Sequence, residues 1–152
     1  MLVIKEGPLN ALDLMWQFEK HCKEQNFGAL HYFAGIVRND LNIKGFLGLS
    51  FDIYMPILED WFNSWRKKAS EQNIELFMAH STGNVLISEV SFICASSSSH
   101  RTFILQDFIE DFKKQAPIWK YDLVRDGDKI HKIYALKRSS KLQFSGLLGD
   151  RN

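Results

Sequence analysis

Two cysteines in 152 residues, Cys22 and Cys94, are too few and too far apart for a disulfide scaffold or a metal site built from local cysteine pairs. Their scarcity fits a reducing compartment. An excess of one charge is lacking too. Nineteen Lys plus Arg stand against 18 Asp plus Glu, for a net charge of +1. No chain-wide field would hold nucleic acid or an anionic membrane, and any anion has to be bound by a local cluster. No run reaches the roughly eighteen apolar residues that a spanning helix needs. The start, Met1 to Pro8, has no basic stretch leading into an apolar one. The chain therefore reads as soluble, untargeted and cytoplasmic.

Familiar catalytic signatures are missing as well. There is no glycine-rich phosphate loop, no His-Glu-x-x-His, no Cys-x-x-Cys and no Gly-x-Ser-x-Gly. Nucleotide hydrolysis, zinc hydrolysis, thiol redox and serine esterase chemistry thus lack their usual marks. The histidines at 21, 31, 80, 100 and 131 show no ligand spacing, so neither a metal nor a cofactor is expected. His31 and His80 fall inside strand patterns and read as structural.

What is present is aromatic bulk, 12 Phe and 4 Trp, enough for a substantial core and for an oligomer interface. The length predicts one domain. Leu2 to Lys5 reads as a first strand, closed by Gly7-Pro8. Asn10 is a fitting N-cap for a helix over 10–25 in which Leu12, Met15, Trp16 and Cys22 keep helical spacing. Ala29 to Val37 and Gly45 to Tyr54 read as strands, joined by a polar loop from Arg38 to Lys44. Pro56 opens a helix over 56–72, with Ile57, Leu58, Trp61, Phe62, Trp65 and Ala69 on one side and mixed charge on the other. Ile74 to His80 and Val85 to Ser97 form a predicted hairpin turning at Ser81-Thr-Gly-Asn84. A third helix is predicted from His100-Arg101 to just before Pro117, followed by strands at Ile118 to Val124 and Ile130 to Ala135 around the turn Asp126-Gly-Asp128. The fold class is α+β: a mainly antiparallel sheet with about three helices packed on one of its faces. Residues 1–137 read as a single catalytic domain, and 138–152 as a C-terminal tail that a partner or a dimer would order.

Cations gather at element ends, where sites are usually built. Arg38 follows a strand, His100 and Arg101 stand at a predicted helix start, Lys113 lies in that helix's last turn and Lys120 lies just beyond it. On an unbroken helix Lys113 and Lys120, seven apart, would share a face. Pro117 ends the helix, so Lys120 leaves on an extended segment, from which both amines can still enter one pocket. Lys113 also suits its place simply through the helix dipole. Arg101 opposes that dipole, and with His100 and the free amides of a first turn it would make an anion site. Trp119 either packs the stem of Lys120 or walls a dry pocket around its amine.

Phe33-Ala-Gly-Ile-Val-Arg38, the serine-rich strand end leading to His100-Arg101, and above all Phe112-Lys-Lys-Gln-Ala-Pro-Ile-Trp-Lys120 resemble the large, catalytic subunit of molybdopterin synthase. The resemblance runs in order from about Gly28 to about Ala135. It implies an α/β hammerhead-like fold and a homodimer of large subunits within a heterotetramer. Each large subunit would take the Gly-Gly thiocarboxylate tail of a small ubiquitin-like partner and move its sulfur onto cyclic pyranopterin monophosphate, building the molybdopterin dithiolene. It further implies that Lys113 and Lys120 are catalytic, that Arg38, His100 and Arg101 bind the substrate phosphate, and that Arg138, or else Lys137, stands for an arginine reaching across the dimer. Both reactants are anions, which fixed cations can hold while stabilising charge that develops in transfer. Crowded cations also lower a lysine pKa, making an amine a base or nucleophile. The chain departs from the family pattern at Ser81, where arginine is usual, and at Asp122, where glutamate is usual. Its helix before Lys113 is about one turn of 3.6 residues shorter. A sulfurtransferase is the leading reading. The alternatives are a non-catalytic dimeric subunit that captures a ubiquitin-like tail and an unrelated small metabolite-binding protein.

Overall fold

The computed structural model describes residues 1–40, 42–100, 102 and 104–135. Arg101, Arg138 and the 138–152 tail lie outside the described residues.

Among the described residues three helices form where apolar residues recur every three or four positions. In α1 (Ala11–Glu24) Leu14, Phe18 and Cys22 are buried, and the Asn10 side chain accepts the Asp13 amide at 3.2 Å, as the N-cap reading expects. In α2 (Met55–Ser70) Pro56 sits in the first turn, where its missing N–H costs nothing, and Leu58, Phe62, Trp65 and Ala69 turn inward. In α3 (Ile104–Gln115) the buried stripe is Ile104, Leu105, Phe108, Ile109 and Phe112.

Among the described residues seven strands make the sheet: β1 (Leu2–Glu6), β2 (Ala29–Ile36), β3 (Phe46–Ile53), β4 (Ile74–Leu86), β5 (Val90–Ser98), β6 (Ile118–Asp126) and β7 (Lys129–Tyr134). Their order is β2-β5-β4-β3-β6-β7, with β1 parallel to β4 and every other pairing antiparallel. β4 is the spine. Residues 74–80 pair with β5, while Val85 and Leu86 pair with Leu49 and Gly48 of β3. At that crossing Gly48 is obligatory, because a Cβ there would stand 2.3 Å from the Val85 carbonyl oxygen.

Two expectations are corrected. The segment Ser81 to Asn84 is strand and not a turn. Gly83 has the predicted positive φ (+72°), but its neighbours are already paired, Thr82 with Glu6 of β1 and Asn84 with Ser50 of β3. A left-handed residue held between paired neighbours bends the strand and does not reverse it. The reversal comes at residues 87–89, where Ser88 has φ +72° and the Glu89 carboxylate accepts the Leu86 amide at 2.7 Å. The helices, moreover, cover both faces. Leu76 and Met78 pack toward α2 and α3, whereas Phe77 and Ala79 pack toward Leu14 and Phe18 of α1. Strand alternation divides an unbroken apolar run between two layers.

α2 and α3 are joined through Asp111, whose Oδ2 accepts both the Trp61 indole (2.9 Å) and the Trp65 indole (2.7 Å). Beside that clamp Phe108 is fully buried, with the rings of Trp61, Trp65 and Phe62 at 5.1, 5.5 and 6.2 Å. Phe108→Ala should cost about 3–5 kcal/mol. Urea unfolding of the variant checks this, and an unchanged midpoint would show that α3 is not held by this core.

Candidate functional site

The β3–β6 ladder decides where Lys120 points. Lys120 is directly opposite Phe51, and directly opposite residues share a face. Phe51 is 1% exposed and meets the His80 ring edge-on at 4.9 Å, so half-buried Lys120 stands at the rim of this interior cluster. Its neighbour Trp119 is paired with Asp52 and belongs to the other face. Along β6, Trp119 and Lys120 thus stand on opposite faces.

α3 meets the same cluster through the residue before Lys113. The preceding residue, Phe112, stacks on Phe92 of β5 at 4.2 Å with the rings 4° apart, and lies 5.6 Å from His80. Lys113 itself is exposed in the last helical turn. The helix ends as expected: the Ala116 amide bonds to the Phe112 carbonyl, Ala116 and Pro117 are buried, and Ile118 begins β6. The two lysines thus flank one buried turn, Lys113 next in sequence to Phe112 and Lys120 opposite Phe51, two members of one aromatic cluster.

His80 is 2% exposed. Its Nδ1 lies 2.7 Å from the Ser81 carbonyl oxygen, which can only accept, so Nδ1 carries the proton and donates. Burial, together with the Lys120 charge, depresses its pKa to about 4, against the hydrogen bond's opposing effect. The ring is neutral in the folded protein at neutral pH.

Of the anion-binding candidates, the two among the described residues, Arg38 and His100, do not converge within one chain. Arg38 is exposed just past β2, after Val37, whose amide bonds to the Glu89 carbonyl. His100 is exposed just past β5, where Gly28 donates to the Ser98 carbonyl. Because β2 and β5 are antiparallel, with Ala29 opposite Ser98 and Ile36 opposite Val90, these are opposite ends of one ladder. At about 3.3 Å per residue, the eight residues of β2 separate them by roughly 26 Å. α3 runs back along β5, so Phe112 and Lys113 lie over Phe92, at the Arg38 end. His100 also does not open the helix as expected. It stands four residues ahead of Ile104, and its carbonyl accepts from the Ser98 hydroxyl. Clefts of about 810 and 470 Å³ lie beside α2, and none of Arg38, His100, Lys113 or Lys120 lines either.

Asp111 and His80 are contributions that sequence reasoning missed. The one signal for His80 was a polar residue continuing the inward alternation of Leu76 and Met78.

Comparison with known proteins settles the family. The family profile described as "MoaE protein" matches residues 6–115. The chain belongs to this family. It is 46% identical to the "Molybdopterin synthase catalytic subunit" of Helicobacter pylori strain 26695, over 97% of this chain and 99% of that one. It is also 32% identical to the human protein of the same name, over 65% of this chain and 55% of that one. Among solved structures, the "Protein-protein complex of subunit 1 and 2 of Molybdopterin-converting factor" from Helicobacter pylori matches with TM-score 0.85 and 45% identity, over 97% of this chain and 99% of that one. Molybdopterin synthase from Staphylococcus aureus matches with TM-score 0.68 and 25% identity, over 85% of this chain and 95% of that one. The MoaE-family fold is the α+β architecture expected from the sequence, and among the described residues no helix is long and apolar enough to cross a membrane.

His80 gives this MoaE-family chain an acid-sensitive core. The unfolded chain protonates the imidazole near pH 6.5 and the folded chain only near pH 4. Its contribution to stability is therefore complete above pH 6.5 and is lost as the pH falls toward 4, to an extent of about 3 kcal/mol. His80→Phe should remove that part of the acid sensitivity. Urea unfolding of both proteins at pH 7 and pH 4.5 checks it, and equal losses in the two would refute it.

Proposed function

We propose that this chain is the catalytic subunit of a molybdopterin synthase, a sulfurtransferase that takes sulfur from a thiocarboxylated small ubiquitin-like subunit and transfers it to cyclic pyranopterin monophosphate, forming the molybdopterin dithiolene. The observation that carries the reading is the likeness over 97% of the chain to a subunit of that name, whose structural counterpart is a complex of two subunits. Such a reaction belongs in the cytoplasm, in agreement with the chain's two cysteines, which are unpaired.

Lys113 and Lys120 are the catalytic pair, one at the end of α3 and one on β6. Their ammonium groups offset negative charge as the thiocarboxylate sulfur attacks, and a deprotonated amine serves as base or nucleophile. Arg38, at the same end of the sheet, holds substrate phosphate. His100 and Arg101 are the other phosphate ligands, with Arg138 reaching across the dimer. Residues 1–137 form the catalytic domain and 138–152 a tail ordered by assembly. Because roughly 26 Å separates His100 from Arg38 in one chain, the His100 end of one copy completes the lysine end of the other in a homodimer, itself the centre of a heterotetramer. Exposed Ile130, Ile133 and Tyr134 on β7, and Leu12 and Trp16 on α1, are apolar surface available to such an assembly.

Lys113→Ala and Lys120→Ala should each lower turnover by at least about a hundredfold with unchanged circular dichroism; full activity in either removes this mechanism. A stable complex with the small subunit that yields no product would favour the non-catalytic binding subunit. The dimer claim has its own measurement. His100→Ala and Lys120→Ala dimers, each inactive, should regain about a quarter of wild-type activity when their subunits are exchanged in equal amounts, since half the dimers are mixed and each holds one intact site. No recovery on mixing would place His100 in the site of its own chain.

A further inference from the structure

We propose that His80 is a positioning residue for the sulfur-transfer site: its uncharged ring, anchored on the Ser81 carbonyl, sets the placement of the strand that carries Lys120 against the helix that carries Lys113. The inference rests on the synthase reading and assigns a role to a residue that the motifs left as structural.

His80 is where the two lysine-bearing elements meet the spine of the sheet. From β4 its ring contacts Phe51, the partner of Lys120 across the β3–β6 ladder, at 4.9 Å. It contacts Phe112, the residue before Lys113, at 5.6 Å, and Phe92, the ring on which Phe112 stacks, at 5.7 Å. Both lysines are thus one residue or one cross-strand step from a ring that touches His80. A purely space-filling side chain would serve such an aromatic pocket without bringing a polar group out of water. A buried imidazole with one nitrogen committed to a backbone carbonyl has instead a single orientation, fixed by the hydrogen bond and not by packing alone.

Charge ties the residue to the chemistry. The Lys120 ammonium opposes a proton on His80, and by reciprocity a proton on His80 would oppose the Lys120 ammonium. Burial and the Lys120 charge keep the ring neutral, so it adds no positive charge beside the reacting anions, and the hydrogen bond to the Ser81 carbonyl fixes its single proton on Nδ1.

The test compares the wild type with His80→Phe, which keeps the ring but loses the hydrogen bond, and His80→Asn, whose amide nitrogen replaces Nδ1. Each would be assayed as the full complex with thiocarboxylated small subunit. The expected result is a fall in kcat of tenfold or more in His80→Phe, with KM for the pterin within twofold, and recovery of much of that loss in His80→Asn. Wild-type kcat in His80→Phe overturns the proposal. Selectively labelled lysine NMR of the same proteins is read independently of turnover. The Lys120 Cε resonance should be displaced in His80→Phe and return toward wild type in His80→Asn, and an unmoved resonance overturns the proposal. Loss of product in the wild type itself would instead count against the synthase reading, while the lysine resonance still decides the role of His80. Should neither variant fold, the histidine nitrogen spectrum of the wild type decides: the Nδ1–H tautomer from pH 5.5 to 8 is required, and a charged ring or the Nε2–H tautomer at pH 7 overturns it.

Discussion

The contact on which the site depends is the parallel stack of Phe112 on Phe92, with His80 and Phe51 closing the cluster. It joins the end of α3 to β5 and β4, and through β3 to β6. Without it, Lys113 and Lys120 would sit on elements related only by the short connection through Ala116 and Pro117. With it, the break that Pro117 forces in the helix becomes a fixed corner, because both residues of the turn are buried under the same core. Two indoles on one Asp111 oxygen hold the middle of α3 on α2, so the helix is fastened along its length before its last turn delivers a cation to the surface.

Helices were the legible part of the sequence, because their apolar spacing is local: Asn10, Pro56 and Pro117 mark their ends as the capping and proline rules require. What was illegible was decided between elements. A positive-φ glycine at 83 looks the same in sequence whether the chain turns or merely bends; the choice falls to Glu6 and Ser50, far away in sequence, which already pair with its neighbours. The apolar run from Leu76 to Ala79 serves two layers, and only the helices on both faces reveal this.

For the candidate site, the sequence offered residues one by one and not a geometry. The motif around Lys113 and Lys120 is short in sequence and stays together in space. Arg38 and His100 are carried by adjacent strands that run in opposite directions, and adjacency gave no warning that their ends lie roughly 26 Å apart. In the homodimer proposed above, that separation makes assembly part of the mechanism, with one chain supplying two half-sites. His80 escaped notice because a polar residue within an apolar strand has a ready structural explanation, and only its ring contacts tie it to both lysines.

The central claim is sulfur transfer by this chain, and the most direct measurement follows the sulfur atom. The small subunit, carrying a radiolabelled sulfur in its C-terminal thiocarboxylate, is bound to the chain and given cyclic pyranopterin monophosphate. The account predicts that label leaves the small subunit and appears in the pterin dithiolene. A stable complex that retains all its label with saturating substrate would contradict it.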